Sequence, residues 1–343
     1  MSDALAILRQ GRRRRWRRRL LVTGILVALA LVLAAALLML GNTIYPAQDV
    51  FRVIMGEKVT GASFAVGTLR LPRMIAAVLA GLAFGAAGAA FQTMLRNPLA
   101  SPDIIGINSG CSAAAVTCIL LFNMSGAAVS AISVLAGLAV AALIYLLAYG
   151  REGASGRLIL MGIGVGALMD AVVSYMLLKG SEYDIPAAYR WLTGSLNAMR
   201  MDEMGSLAIA VAILLPLALV LARSLEAVEL GDETAHALGA RVERTRILLI
   251  LCAVGLVAFA TATTGPIAFV AFLSGPIASR LVGTGKPHIL QAALVGAALV
   301  LAADLLGQFA FDTRFPVGVI TGILGAPYLL VLLIRLNRKG SSL

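Results

Sequence analysis

Charge is what this sequence has least of. Only 13% of its 343 residues are Asp, Glu, Lys or Arg and 60% are hydrophobic, whereas a soluble domain carries about 25% charged residues. Almost nothing is left over for a soluble domain. Histidine is nearly absent, with His236 and His288 far apart in different polar turns, which excludes a His-based metal site. The three cysteines, Cys111, Cys118 and Cys252, sit singly inside apolar runs. An odd count with no C-x-x-C pair gives no disulfide framework, and these are small packing residues. Neither H-E-x-x-H nor G-x-S-x-G occurs, so no catalytic residue can be named. Gly283 to Lys286 imitates the end of a phosphate-binding loop. However, Arg280 stands where its first glycine belongs, Pro287 stands where a Ser or Thr must hold magnesium, and no strand precedes it.

What the chain does have is apolar runs of membrane-spanning length, which make it an all-α, polytopic membrane protein. About ten spans are expected, near 20–40, 66–94, 104–122, 127–148, 157–178, 203–222, 245–263, 267–282, 288–308 and 317–336. Residues 1–19 form a basic tail with eight arginines against the single Asp3. Because that tail abuts an apolar run, it reads as a positive-inside anchor with affinity for anionic membrane lipid, and not as a nucleic-acid arm. The first run is too long for a cleaved signal peptide. Residues 20–337 are then one transmembrane domain and 338–343 a short tail, with both termini cytoplasmic. Arg96, Arg151, Arg157, the stretch 223–246, Arg280 and Lys286 fall on the same side, as the positive-inside rule asks. Gln48 to Met55 reads as a short interfacial helix. Pairs such as Gly81 with Gly85 and Gly318 with Gly322, and the run Gly162, Gly164, Gly166, let helix backbones approach closely.

The one strongly charged interruption is Glu226 to Arg246. Glycines after Leu230 and Leu238 each suit a helix stop. One or two short amphipathic helices are expected, with Glu226, Glu229, Asp232, Glu233 and His236 toward water and Leu230, Ala235 and Leu238 toward protein. A folded element this small, on the cytoplasmic side of a membrane bundle, is a handle for a soluble partner. Inside the spans the clear ionisable residues are Asp170 and Asp304, and an intramembrane charge is a functional candidate by default.

The pattern Leu230, Gly231, Asp232, Glu233, Ala235, Leu238, Gly239 resembles the coupling segment of type II ABC importer permeases of the FecCD type, which move iron–siderophore complexes, haem and cobalamin. Four further stretches resemble the same family in the same order. They are Leu69 to Arg73 leading to Gln92; Arg96, Asn97, Pro98, Leu99, Ala100 and Pro102; Gly265 to Val270 with Ala302 and Asp304; and Pro316 to Pro327. Trp191 to Leu196 fits as well. There are departures. Gly275-Pro276 replaces the family's Pro-His, Gln308 stands where it has an arginine, and Arg314-Phe315-Pro316 replaces Glu-Leu-Pro.

The resemblance implies a permease bundle of about ten helices paired with a second permease subunit, either a copy or a related chain. Cytoplasmic ABC ATPase subunits and an extracytoplasmic substrate-binding protein complete the importer in the bacterial inner membrane. The chain itself would bind no cofactor, and ATP and Mg would belong to the ATPase. Leu230 to Gly239 would couple to the ATPase. Arg70 and Arg73, with Arg314 in place of the missing arginine, would dock the binding protein. Gln92, Asn97, Pro98, Leu99 and Asp170 would line or gate the path. Ferric siderophore is the first cargo to consider, with haem or cobalamin as the alternative. An ion-coupled secondary transporter is the competing class, and Asp170 is its only support.

Overall fold

The structure is a computed structural model that describes residues 2–95, 97–102, 106–148, 154–228, 242–283 and 288–340. Twelve α-helices and no strand occur among them. They are α1 (Ser2–Met39), α2 (Ala47–Ile54), α3 (Leu71–Met94), α4 (Ile107–Phe122), α5 (Ala127–Ala148), α6 (Ala154–Lys179), α7 (Ile185–Leu192), α8 (Met204–Val228), α9 (Val242–Thr264), α10 (Val270–Val282), α11 (Ile289–Phe309) and α12 (Val317–Gly340). Seven helical stretches are long and apolar enough to cross a membrane, and three shorter apolar helices cover residues 107–122, 270–282 and 317–332. Each of the ten expected spans meets one of these ten. The expected interfacial helix is α2. The charged stretch from Glu226 to Arg246 is bracketed by the end of α8 and the start of α9, and residues 229–241, with all seven coupling residues, lie outside the described residues.

Helix α3 organises the bundle. It packs along α11, α9, α10 and α8. Its buried face is almost entirely small: Ala76, Ala77, Ala80, Gly81, Ala83, Gly85 to Ala90 and, among large residues, Phe84 and Phe91. Small residues are what allow this crossing. A Cβ on Gly81 would stand 2.5 Å from Ala297 Cα and 2.6 Å from the Gly296 carbonyl. Gly85 meets the carbonyl of Ala292 and Gly88 that of Ala271, so α3 touches α11 and α10 backbone to backbone. Helix α3 enters through a π-helical stretch, Ser63–Arg70. A proline inside a helix crowds the carbonyl four residues before it, and the wide turns just ahead of Pro72 relieve that crowding.

Breaks in the bundle have local causes. Between α3 and α4, Pro98 and Pro102 forbid continuous helix. The Asn97 side chain accepts from Leu99 N–H at 2.9 Å and its carbonyl accepts from Ala100 N–H at 3.0 Å, so backbone groups freed there are met by an Asx turn. Two ends of the bundle can be told apart. Arg18, on the basic stretch of α1, donates to the carbonyls of Leu281 and Arg280 at the end of α10. This basic end also holds His288. The far end holds Leu38 and Met39, the starts of α3 and α12, and the turns after α4, α7, α9 and α11.

Candidate functional site

The far end carries a buried polar network that the sequence does not announce. Asp304 lies fully buried near the end of α11, and Arg73 reaches it from the first turn of α3 with Nε to Oδ2 at 2.8 Å and Nη2 to Oδ1 at 2.7 Å. The third arm of the same guanidinium, Nη1, donates to Asn197 Oδ1 at 2.7 Å. Gln308, one turn beyond Asp304 on α11, donates to Oδ2 at 2.9 Å. A two-pronged arginine–carboxylate pair is the strong form of this contact. Removed from water it is tolerable only when its remaining lone pairs and protons are matched, and Asn197 and Gln308 do that matching. Gln308 therefore occupies the place of the family's arginine as a hydrogen-bond donor to Asp304. Asn197 and Gln308 carry no charge and were missed as site residues. The available signal was two opposite charges, Arg73 and Asp304, that the expected topology puts at the same end of their spans, without saying that those spans are neighbours.

The docking role expected of Arg73 is not carried forward, because all three of its donor nitrogens point inward to Asp304 and Asn197. Arg70 does not share its surroundings. Arg70 Nη1 donates to the carbonyls of Leu38 and Met39 at 3.0 and 2.9 Å, and Nη2 to that of Thr43 at 2.7 Å. Its guanidinium also lies 5.0 Å over the Tyr45 ring. It thus closes the C-terminus of α1, where backbone carbonyls lack helical partners. Arg314 is exposed and donates to Asn42 Oδ1 at 2.7 Å.

The residues assigned to the path separate. Gln92 is buried and donates to the Phe272 carbonyl at 3.0 Å, holding α3 to α10 beside Gly275, so in this conformation it is a packing contact. Asn97 and Leu99 are half-buried and Pro98 is exposed in the proline turn. Asp170 stands elsewhere, exposed on α6 together with Ile163, Leu168 and Tyr175. No ion pair or side-chain hydrogen bond engages its carboxylate among the described residues.

A family model, that of the FecCD transport family, matches residues 24–335. The chain belongs to the FecCD transport family. This FecCD-family chain is 40% identical over 324 residues to the ferric enterobactin transport system permease protein FepG of Escherichia coli (strain K12), covering 94% of this chain and 98% of the relative. It is 38% identical over 323 residues to the Fe(3+)-citrate import system permease protein YfmE of Bacillus subtilis (strain 168), covering 93% and 96%. Among solved structures, an inward-facing metal-chelate type ABC transporter superposes with a TM-score of 0.82 at 25% identity, covering 92% of this chain and 99% of that one. This FecCD-family member is therefore a type II ABC importer permease, a multi-pass membrane subunit of a transport machine and not an enzyme.

Proposed function

We propose that the chain is the permease through which a ferric siderophore crosses the bacterial inner membrane by alternating access, driven by partner ATPases that hold ATP and Mg. The observation that carries this reading is near full-length similarity to permeases named for ferric enterobactin and ferric citrate, with a third, from Dickeya dadantii (strain 3937), named for achromobactin and 38% identical over 339 residues. Alternating access at a subunit interface is supported by α6. A carboxylate facing hydrocarbon is costly, so intramembrane charges face protein or water. The exposed Asp170 thus argues that its side of α6 meets a second permease subunit or the aqueous path between the two.

In this reading the basic end is cytoplasmic and Leu230 to Gly239 seat in a groove of the ATPase. The far end receives the binding protein, with Arg70 and Arg314 as its cations and Arg73 as an internal brace. The test is uptake of radiolabelled iron in vesicles reconstituted with the permease pair, the ATPase and the binding protein, against labelled cobalamin. ATP-dependent uptake of ferric siderophore alone is expected, and uptake of cobalamin alone would replace the cargo. In the same vesicles Leu238→Asp should abolish uptake while binding-protein docking persists. Normal uptake would remove the coupling role.

A further inference from the structure

Two cavities on the α4–α5 side adjoin at one residue, and their chemistries are complementary. The first, about 300 Å³, opens at the far end between the end of α4, the start of α5, α7 and the end of α9. Its polar lining includes Ser125, Ser130, Asn197, Arg190 and Glu203, with Trp191 beside them. The second, about 530 Å³, runs between α4, α5 and α6. Gly110, Ala113, Ala136, Met169 and Val172 line it, and the hydroxyl of Thr117, which also lines it, is already donated to the Ala113 carbonyl at 2.7 Å. Met124 lines both. Each is within the size range of pockets that hold organic ligands, roughly 300–1,000 Å³.

We infer that together they form a site for one phospholipid with a zwitterionic phosphoethanolamine head. The groove lies within spanning helices and asks for no hydrogen bond, which suits an acyl chain and nothing polar. The cavity above it stands at the end of the spans, the level of lipid headgroups, where Trp is favoured at the interface. Its two charges decide the head. Arg190 and Glu203 have opposite signs, and neither forms an ion pair with a described residue. The guanidinium is a phosphate ligand, and the carboxylate accepts from an ammonium. An anionic head without an amine would satisfy Arg190 and leave Glu203 facing like charge. Both charges line a cavity of one headgroup's scale, so the site reads charge pattern as well as apolar length.

The test uses the full chain, purified in mild detergent, stripped of lipid, and then exposed to phosphatidylethanolamine or phosphatidylglycerol with identical acyl chains. Bound lipid is counted by native mass spectrometry. The wild-type chain should retain phosphatidylethanolamine over phosphatidylglycerol by about fivefold or more, the equivalent of one partly desolvated charge contact. Arg190→Glu should abolish that preference, and Ala136→Phe, which fills the groove, should lower retention of both lipids. Wild-type chain that retains both lipids equally overturns the site without any variant. Undiminished phosphatidylethanolamine preference in Arg190→Glu overturns it too. A disulfide between two copies through Phe122→Cys, formed with lipid present, would show that a second subunit covers the groove and would also overturn it. Should Ala136→Phe fail to fold, Ala136→Leu provides the same reading.

Discussion

Helices α3 and α6 are both apolar, glycine-bearing and long enough to span a membrane, yet they live in different surroundings. Of the most apolar stretch of each, 72% is buried for α3 and 22% for α6. The glycines follow the same division. Gly81, Gly85 and Gly88 lie against the backbones of α11 and α10, while on α6 Gly166 meets Gly106 ahead of α4 but Gly164, on the exposed face, has nothing within 4 Å of where its Cβ would be. The carboxylates follow it as well, since Asp304 against α3 is buried and paired and Asp170 on α6 is exposed. A small-residue motif thus states that a close partner exists and says nothing about which molecule supplies it. For α3 the partner is this chain. For the Gly164 face of α6, in the reading proposed above, it is a second permease.

The largest test of this contrast uses the two carboxylates. Asp304→Ala leaves Arg73 buried without its counter-ion and should cost about 3–5 kcal/mol, read as a marked drop in thermal unfolding temperature of the purified chain. Asp170→Ala should change that temperature little, within about 0.5 kcal/mol, while lowering reconstituted uptake. Equal destabilisation by the two would erase the distinction. The glycines give the next effect. Gly81→Ala pushes a methyl into the α11 backbone and should cost about 1–3 kcal/mol as overpacking. Gly164→Leu should leave the isolated chain as stable as before and weaken pairing of permease subunits in size-exclusion chromatography. A loss of stability in Gly164→Leu alone would mean that the Gly164 face of α6 also has a partner within the chain.

The smallest effect belongs to the basic end and sharpens the α11 side of the comparison. His288 Nε2 donates to the Gly283 carbonyl at 2.7 Å, while its Nδ1 is buried with no partner among the described residues. Burial lowers its pKa, and nearby Arg19 lowers it further against the opposing Gly283 bond. Its neutral form therefore adds stability above the ordinary value of about 6.5. That contribution is lost as pH falls from there through the lowered folded value, because the unfolded chain takes up the proton first. Unfolding temperature should fall between about pH 7 and pH 5 by more in wild type than in His288→Gln, and identical pH profiles would refute the assignment.

The apolar helices at the ten expected positions were legible, seven of them at span length, because hydropathy over a long run survives local irregularity, and the proline turn after α3 was legible because Pro98 and Pro102 leave the backbone few choices. Site chemistry was harder to read. Arg73 was assigned to docking on the family resemblance, at a helix start that the topology places near an aqueous face. Its partner within the chain is 231 positions away, and a single sequence does not show which helices are adjacent. Asn197 was invisible for the same reason. Gln308 was read as a missing charge because charge is visible in a sequence and a donor's target is not. Asp170 stood out in the sequence because a carboxylate inside an apolar run needs no knowledge of contacts to be noticed, and the structure leaves it exposed on α6.

Arg70 has a mechanical consequence. One side chain clasps three carbonyls, two at the end of α1 and one in the turn after it, while Arg73, one turn on, is pinned to α11. Helices α1, α3 and α11 are thereby riveted at their far ends, and α1 is fastened again at the other end through Arg18 and through Gln291 of α11, which donates to Thr23 at 2.9 Å. A plate fixed at both ends cannot serve as its own hinge. In the alternating-access reading proposed above, α1, α3 and α11 move as one body, and opening and closing fall to elements that these contacts leave free.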